Sequence, residues 1–538
     1  MINLRYPGVR PFETNERHLF FGRARDIADL YDLVLLENLL VLFGKSGYGK
    51  SSLLKAGIIP LFTEFAADSK GQYQPLEVRF GSYLAGKSLP PLQAALNTLE
   101  KEAPLNKEAD FLGAFFPEKK SLWLQCKHRQ QADAGRFLMV FDQFEEFFTY
   151  PVSQQEAFAT SLAEALYETT PQNIRNTVTG KLTFEQRRFL AKPFELKVIF
   201  SIRADRLSLL DSMKLKLPAI LHKRYELKAL DEKQARSAIV RPALLPAEDG
   251  DFSTPSFTFT DGALNDIVAK LADEKSGRIE AFQLQVVCQN LEKQVKNGVI
   301  SDRDGDDQPD IYPDDLPNFD TVFEDYYKDK LSELNEAEKY AARVVIEDGL
   351  LYVNEATGEA RRLSKDPGEL VQIYGNQGVD HNLLQKLETT YLLRREANNI
   401  GTFNYEISHD TLIAPITRSR EARRREEERN KAAKRTRRAI FTAVGAILLM
   451  FGAVVLAVWA IGERDKAREA LRKLTIEQAA RDLLEFKTKK QDATNFVSVK
   501  YFDLADSTLV EMDSIAVRQI ELRAVLDSFK IEIQKERK

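Results

Sequence analysis

Eight consecutive residues, Gly44-Lys45-Ser46-Gly47-Tyr48-Gly49-Lys50-Ser51, carry the spacing G-x-x-x-x-G-K-S in full. Glycines in such a turn let backbone N–H groups curl around phosphate oxygens, and the helix that follows adds its positive end. The lysine, Lys50, then reaches the β- and γ-phosphates, and the Ser51 hydroxyl ligates magnesium. Gly44, Ser46, Gly47, Tyr48, Gly49, Lys50, Ser51 and Ser52 are therefore candidate nucleotide-binding residues, with ATP or ADP and Mg2+ as the cofactors.

A metal-bound triphosphate needs a second anchor at the end of a neighbouring strand. The run Phe137-Leu138-Met139-Val140-Phe141-Asp142 supplies one, five apolar residues closing on a carboxylate. Glu145 and Glu146 follow, and either can polarise an attacking water; the sequence does not choose between them. Arg203, in Ser201-Ile202-Arg203-Ala204-Asp205, closes a third apolar run, at the sheet edge where ligands of open α/β sheets collect. A surface pair with Asp205 is its alternative role.

The elements that must position these groups are legible as short apolar runs alternating with helical stretches over residues 1–225. That is the pattern of a parallel α/β sheet. Strands are expected at Leu39–Phe43, Leu76–Phe80, Phe137–Phe141 and Leu196–Ile202, and a helix at Leu53–Ile59. Residues 226–315 turn helical, opening on an N-terminal capping box at Asp231 and Gln234 and including the amphipathic run Phe282–Val295. Residues 301–317 form an acidic loop. Its DRDGDD stretch is only partly like a calcium loop, because the glycine is misplaced for an EF-hand, and it reads as a solvated acidic loop.

Residues 316–417 read as helices ending in a hairpin, Tyr391–Arg395 and Phe403–Ser408 around a turn at Asn398–Gly401, the order of a winged helix. Its helix Asp380–Thr389 has Lys386 as its one strong cation, too few for phosphate and base contacts, so DNA binding is rejected. The net charge of −4 gives no whole-chain pull toward nucleic acid either. Two distant cysteines, Cys126 and Cys288, rule out a disulfide scaffold and a cysteine-based zinc site.

From Ala439 to Ile461, 23 residues pass without a charge. As a helix they span about 34 Å, enough to cross a bilayer core of about 30 Å. Eight Lys or Arg lie in Arg424–Arg438, against five in Gly462–Ile476. That asymmetry, and an N-terminus without signal-peptide pattern, imply a single-pass protein of the inner membrane with its first domains cytoplasmic. Residues 418–438 form a basic juxtamembrane helix. Residues 462–538 form a helical tail, expected as two helices, with Leu522, Val525, Leu526, Phe529 and Ile533 on one face.

YPGVRPFETNERHLFFGR, GKSGYGKSS, VFDQFEEFF, FSIRADRL and IVRPA, in this order, resemble the bacterial STAND NTPases, signal-transduction ATPases with numerous domains. The resemblance covers about residues 5–416. It implies a multidomain α/β plus α protein with a P-loop NTPase sheet, a helical lid and a winged helix closing over the nucleotide; the transmembrane helix and helical tail follow. It further implies that Pro7–Phe12 and Phe21, Gly22 and Arg23 border the adenine, that Pro242 touches it from the lid, and that His409 holds the ADP β-phosphate. The implied activity is slow, regulatory ATP hydrolysis: closed with ADP, open and homo-oligomeric with ATP, under an unknown protein trigger, with antiphage defence or programmed cell death as outputs. An ATP-driven motor on a membrane-linked substrate and a nucleotide-stabilised scaffold are the alternatives. Two departures stand out: no long repeat array follows residue 461, and residues 169–193 read as an insertion.

Overall fold

The computed structural model describes residues 4–65, 73–81, 83, 85–104, 111–117, 121–131, 135–246, 252–354, 357–397 and 402–538. The expected hairpin turn Asn398–Gly401 lies outside them.

Five strands form one parallel sheet: β1 (Leu39–Gly44), β2 (Gln74–Val78), β3 (Arg136–Phe141), β4 (Glu195–Arg203) and β5 (Arg224–Glu226), in the order β2-β3-β4-β1-β5. Four coincide with the expected apolar runs, β2 starting and ending two residues earlier than read. The fifth carries Arg224 and Glu226 on an edge and has no apolar signal. Both faces of the sheet are covered. Leu39 and Val41 join Phe137, Met139, Val198 and Phe200 on one side; Leu40 and Leu42 join Leu138, Val140 and Ile199 on the other, with Leu53, Leu54 and Ile58. Burial on two faces is why these strands read as continuous hydrophobic runs and not as alternation.

The helix after β1 begins at Lys50 and continues as π-helical turns through Leu53–Ile58. Beyond the sheet, the helix Glu232–Ala243 opens on the expected capping box of Asp231 and Gln234, and Ala281–Lys296 covers the expected amphipathic run. The short strands β6 (Thr258–Phe259) and β7 (Asp310–Ile311) pair in parallel. Further along come the helix Phe319–Ser332, the antiparallel pair β8 (Leu351–Val353) and β9 (Ala360–Arg362), the helix His381–Thr389, and the antiparallel pair β10 (Leu393–Ala397) and β11 (Phe403–Ile407). One hydrophobic core runs through all of this, from Leu230 to Ile416, and takes in Tyr6 from the N-terminal segment.

Residues 1–424 form one compact unit and 425–538 a second. The boundary falls within a helix that runs unbroken from Ile413 to Ser498 and includes the uncharged stretch. It is long and apolar enough to cross a membrane. The tail corrects the two-helix expectation. Gly462 does not stop the helix, because a lone glycine costs only about 1 kcal/mol and the Ala, Leu, Lys, Arg and Glu residues that follow are strong helix formers. Two further helices, Phe502–Ala516 and Ile520–Glu536, then pack with Phe486 and Ala493. Leu522, Leu526, Phe529 and Ile533 are buried there; Val525, at 44% exposure, is not, since it lies off that stripe.

Candidate nucleotide site

A cavity of about 800 Å³ opens at the C-terminal ends of the strands. Gly47 and Gly49 adopt φ of +81° and +91°, a left-handed backbone that L side chains enter only at a cost, and this frees the loop to curl. A Cβ at Gly47 would stand 3.2 Å from the His409 imidazole, so the loop also needs the bare glycine for space. Lys50 Nζ donates to the carbonyls of Gly44 (2.9 Å) and Lys45 (3.2 Å), folded back across its own loop. Burial lowers its pKa, against the opposing charges of Glu145 and Asp142.

The Ser51 hydroxyl donates to Asp142 Oδ2 at 2.6 Å, while Asp142 Oδ1 is buried with no hydrogen-bond donor. A hydroxyl and a carboxylate with one oxygen free are a donor set that suits Mg2+, which takes few protein ligands and keeps several waters. Asp142 is fixed by the packing behind it. Phe144 and Phe147 stack at 4.7 Å and, with Phe141, Phe158 and Phe200, form an aromatic block under β3 and β4. That block turns Glu145 and Glu146 toward the cavity, and Gln143 takes φ +52° to start the turn.

Each glutamate has one buried oxygen, Oε2, without a hydrogen-bond donor. They differ in surroundings. Burial raises the Glu145 carboxyl, countered by Lys50 and Arg203. Burial pushes Glu146 up to about 7, countered chiefly by Arg79, whose Nε stands 3.9 Å away.

Arg203 lines the cavity and meets two carboxylates: Asp205 at 2.8 Å and Glu396 of β10. Arg206 joins the same Glu396, Nε to Oε1 at 3.0 Å. Glu388 from the helix His381–Thr389, Arg394 and Arg395 from β10, and Tyr391 from the turn between them also line the cavity. Glu396 and the wall residues were not read from the sequence; the ionic stretch Arg394-Arg395-Glu396 was the only signal.

The N-terminal segment completes the site. Gly8, Val9, Arg10, Pro11 and Phe12 line the cavity, with Phe21 and Arg23. Arg23 donates to the Tyr48 carbonyl at 2.8 Å, and the Phe12 N–H to Ser52 Oγ at 3.2 Å. Of the residues expected at the base, Pro7, Gly22 and Pro242 do not line the cavity. Gly22 packs on the helix Glu232–Ala243, where a Cβ would meet the Gln234 carbonyl at 2.4 Å. Pro242 is buried inside that helix, off the cavity wall, its carbonyl accepting from Arg5 at 3.1 Å.

His409 stands behind the loop. Its Nε2 donates to Glu280 at 3.0 Å, its Nδ1 accepts the Thr411 N–H at 3.3 Å, and its ring stacks on Phe282 at 4.4 Å and 5°. Burial raises the Glu280 carboxyl, but the imidazole, with Lys45, outweighs it and holds that group below its ordinary value. The contacts of both nitrogens fit the Nε2–H tautomer.

Residues 6–252 match the family model described as Novel STAND NTPase 1. This segment is a STAND NTPase domain. Its P-loop follows β1 of the parallel sheet. Among solved structures, similarity is found to the ORC1 protein of Aeropyrum pernix in complex with DNA, at 12% identity and a TM-score of 0.39, covering 75% of this chain and 93% of that one. A Walker-type ATPase of Pyrococcus abyssi gives 15% and 0.35, covering 76% and 99%. A STAND protein with a tetratricopeptide repeat sensor from Pyrococcus horikoshii gives 14% and 0.27, covering 78% of this chain and 44% of that one. Comparison with curated proteins gives no match.

Proposed function

We propose that the chain is a membrane-anchored ATP-binding and hydrolysing switch, resting closed around ADP and opening to self-associate when ATP replaces it. The observation that carries this reading is the wall opposite the STAND P-loop: Glu396 of β10 joins Arg203 and Arg206 at the sheet edge, so the module 316–417 covers the site. A γ-phosphate reaching Arg203 would compete with Glu396 for its N–H donors. A ligand that bound both would have to displace Glu396, and that differential contact biases one state over the other.

In this reading Ser51 and Asp142 would hold magnesium, which would supply positive charge to offset that of the phosphates. Lys50 releases its loop carbonyls to meet them, and Glu145 takes the proton of the attacking water, since Lys50, Arg203 and Asp142 all bear on its charge. Phe21 and Arg23 border the base, and His409 exchanges Glu280 for the β-phosphate in the ADP state. The module 316–417 acts as a winged helix. Residues 439–461 cross the inner membrane with the ATPase cytoplasmic and 462–538 on the far side; recovery of the chain in aqueous buffer without detergent would exclude this. Antiphage defence or programmed cell death as the output rests on the family resemblance.

The test is the size and bound-nucleotide content of the detergent-purified chain. ADP should give a single small species and ATP a larger assembly. One size under both, with turnover that needs no trigger, would favour the motor.

A further inference from the structure

The loop that joins the helix Ala281–Lys296 to β7 and the first residue of β7 bring four aspartates together, and their geometry points to a chemistry that the nucleotide site does not use. One carboxylate oxygen from each of Asp302, Asp304, Asp306 and Asp310 lies within 4.8 Å of the others. Two ligands facing each other across a calcium ion, at about 2.3–2.6 Å each, are separated by about 5 Å. Like charges so close repel, and among the described residues no Lys or Arg pairs with any of the four. The loop's own cation, Arg303, turns away to Asp315 and to the Tyr312 ring at 4.7 Å.

The second observation is Asp310 itself. It is 6% exposed, and while one of its carboxylate oxygens takes the Thr258 hydroxyl, Oδ2 is buried with no donor at all. A buried carboxylate oxygen without hydrogen bond or cation costs a few kcal/mol of desolvation, unless a cation is its partner. The spacing of the four matches positions 1, 3, 5 and 9 of a calcium loop. The misplaced glycine that argued against this in the sequence loses its force, because Asp307 at position 6 itself takes φ +67°. Pro313 at position 12 brings no bidentate carboxylate, so the loop is not a complete EF-hand.

We propose that Asp302, Asp304, Asp306 and Asp310 bind one calcium ion, which ties the 302–310 loop to β6 and β7 of the lid. Calcium is favoured over magnesium because it accepts a crowded, irregular set of carboxylates, whereas magnesium prefers near-octahedral geometry and keeps its waters.

The probe is labelled calcium chloride, added in excess magnesium to the chelator-stripped, nucleotide-free full chain in detergent, with binding read by equilibrium dialysis. Wild type should bind one ion more than the double variant Asp304→Asn with Asp306→Asn, whose amide oxygens still accept the loop N–H groups at Asp306 and Gln308. Asp310→Asn, which keeps an acceptor for Thr258, should independently weaken that ion about tenfold or more. In chelator both variants should melt no lower than wild type, since they relieve like-charge crowding. Equal calcium binding in wild type and variants would overturn the site. So would a lower melting temperature of the variants in chelator, because the four carboxylates would then be stabilising without an ion.

Discussion

Arg203, which lines the nucleotide cavity at the end of β4, and Glu396, on β10, form an ion pair, and Arg206 shares the same carboxylate. The pair joins residues 193 positions apart in sequence. Glu396 is buried, so removing it leaves two guanidinium groups short of a partner in a poorly solvated place.

Glu396→Ala should therefore loosen the closed state. Truncating one member of a buried charge pair costs about 2–5 kcal/mol. With each 1.4 kcal/mol worth a factor of ten, release of a fluorescent ADP analogue should speed up tenfold or more. Release at the wild-type rate would mean that Glu396 does not hold the site shut.

His409 and Glu280 make a second, separable prediction. If His409 leaves Glu280 to hold the ADP β-phosphate, His409→Ala should weaken ADP by about 1.5–3 kcal/mol, the worth of a hydrogen bond to a charged group. Glu280→Gln removes the competing carboxylate and should leave ADP bound as tightly or more so. Equal weakening by both variants would make the pair a structural contact and not an exchange of partners. Calorimetric titration with ADP distinguishes these outcomes.

The sheet and its loop were legible because two-sided burial writes itself as apolar runs and because phosphate binding demands glycine and lysine at fixed spacing. The clamp was not legible. Glu396 and Arg203 meet only when a hairpin folds over the sheet, and neither has a local pattern that names the other. Pro242 shows the converse. The carbonyl of this position, singled out by resemblance, accepts from Arg5, an N-terminal contact that no spacing announces. Gly462 read as the end of the apolar span and is no end of the helix, since hydropathy changes there while helix propensity does not. Val525 was misassigned for a smaller reason: one position of a five-residue apolar face lay beyond the stripe that three packed helical segments bury.

Glu146 gives a pH dependence of defined sign. Its folded carboxyl is raised to about 7 by burial, so the folded state binds a proton that the unfolded chain has already lost. Its contribution to stability is present below the ordinary carboxylate value and is lost as pH rises toward 7. Glu146→Gln has no such proton, so its melting temperature relative to wild type should climb between about pH 5 and pH 8. A constant offset across that range would show that Glu146 is ionised normally in the folded protein.

The central claim is that the module bearing Glu396 moves away from the sheet when ATP replaces ADP. Cys126 and Cys288 are both fully buried, so spin labels on introduced cysteines report selectively. Leu215→Cys, on the sheet side at 89% exposure, and Glu359→Cys, exposed beside β9, place one label on each body. Pulsed electron–electron resonance on the detergent-purified chain should give one narrow distance with ADP. With ATP, in a Glu145→Gln background that slows hydrolysis, a second and longer distance should appear. The same single distance under both nucleotides would contradict the switch.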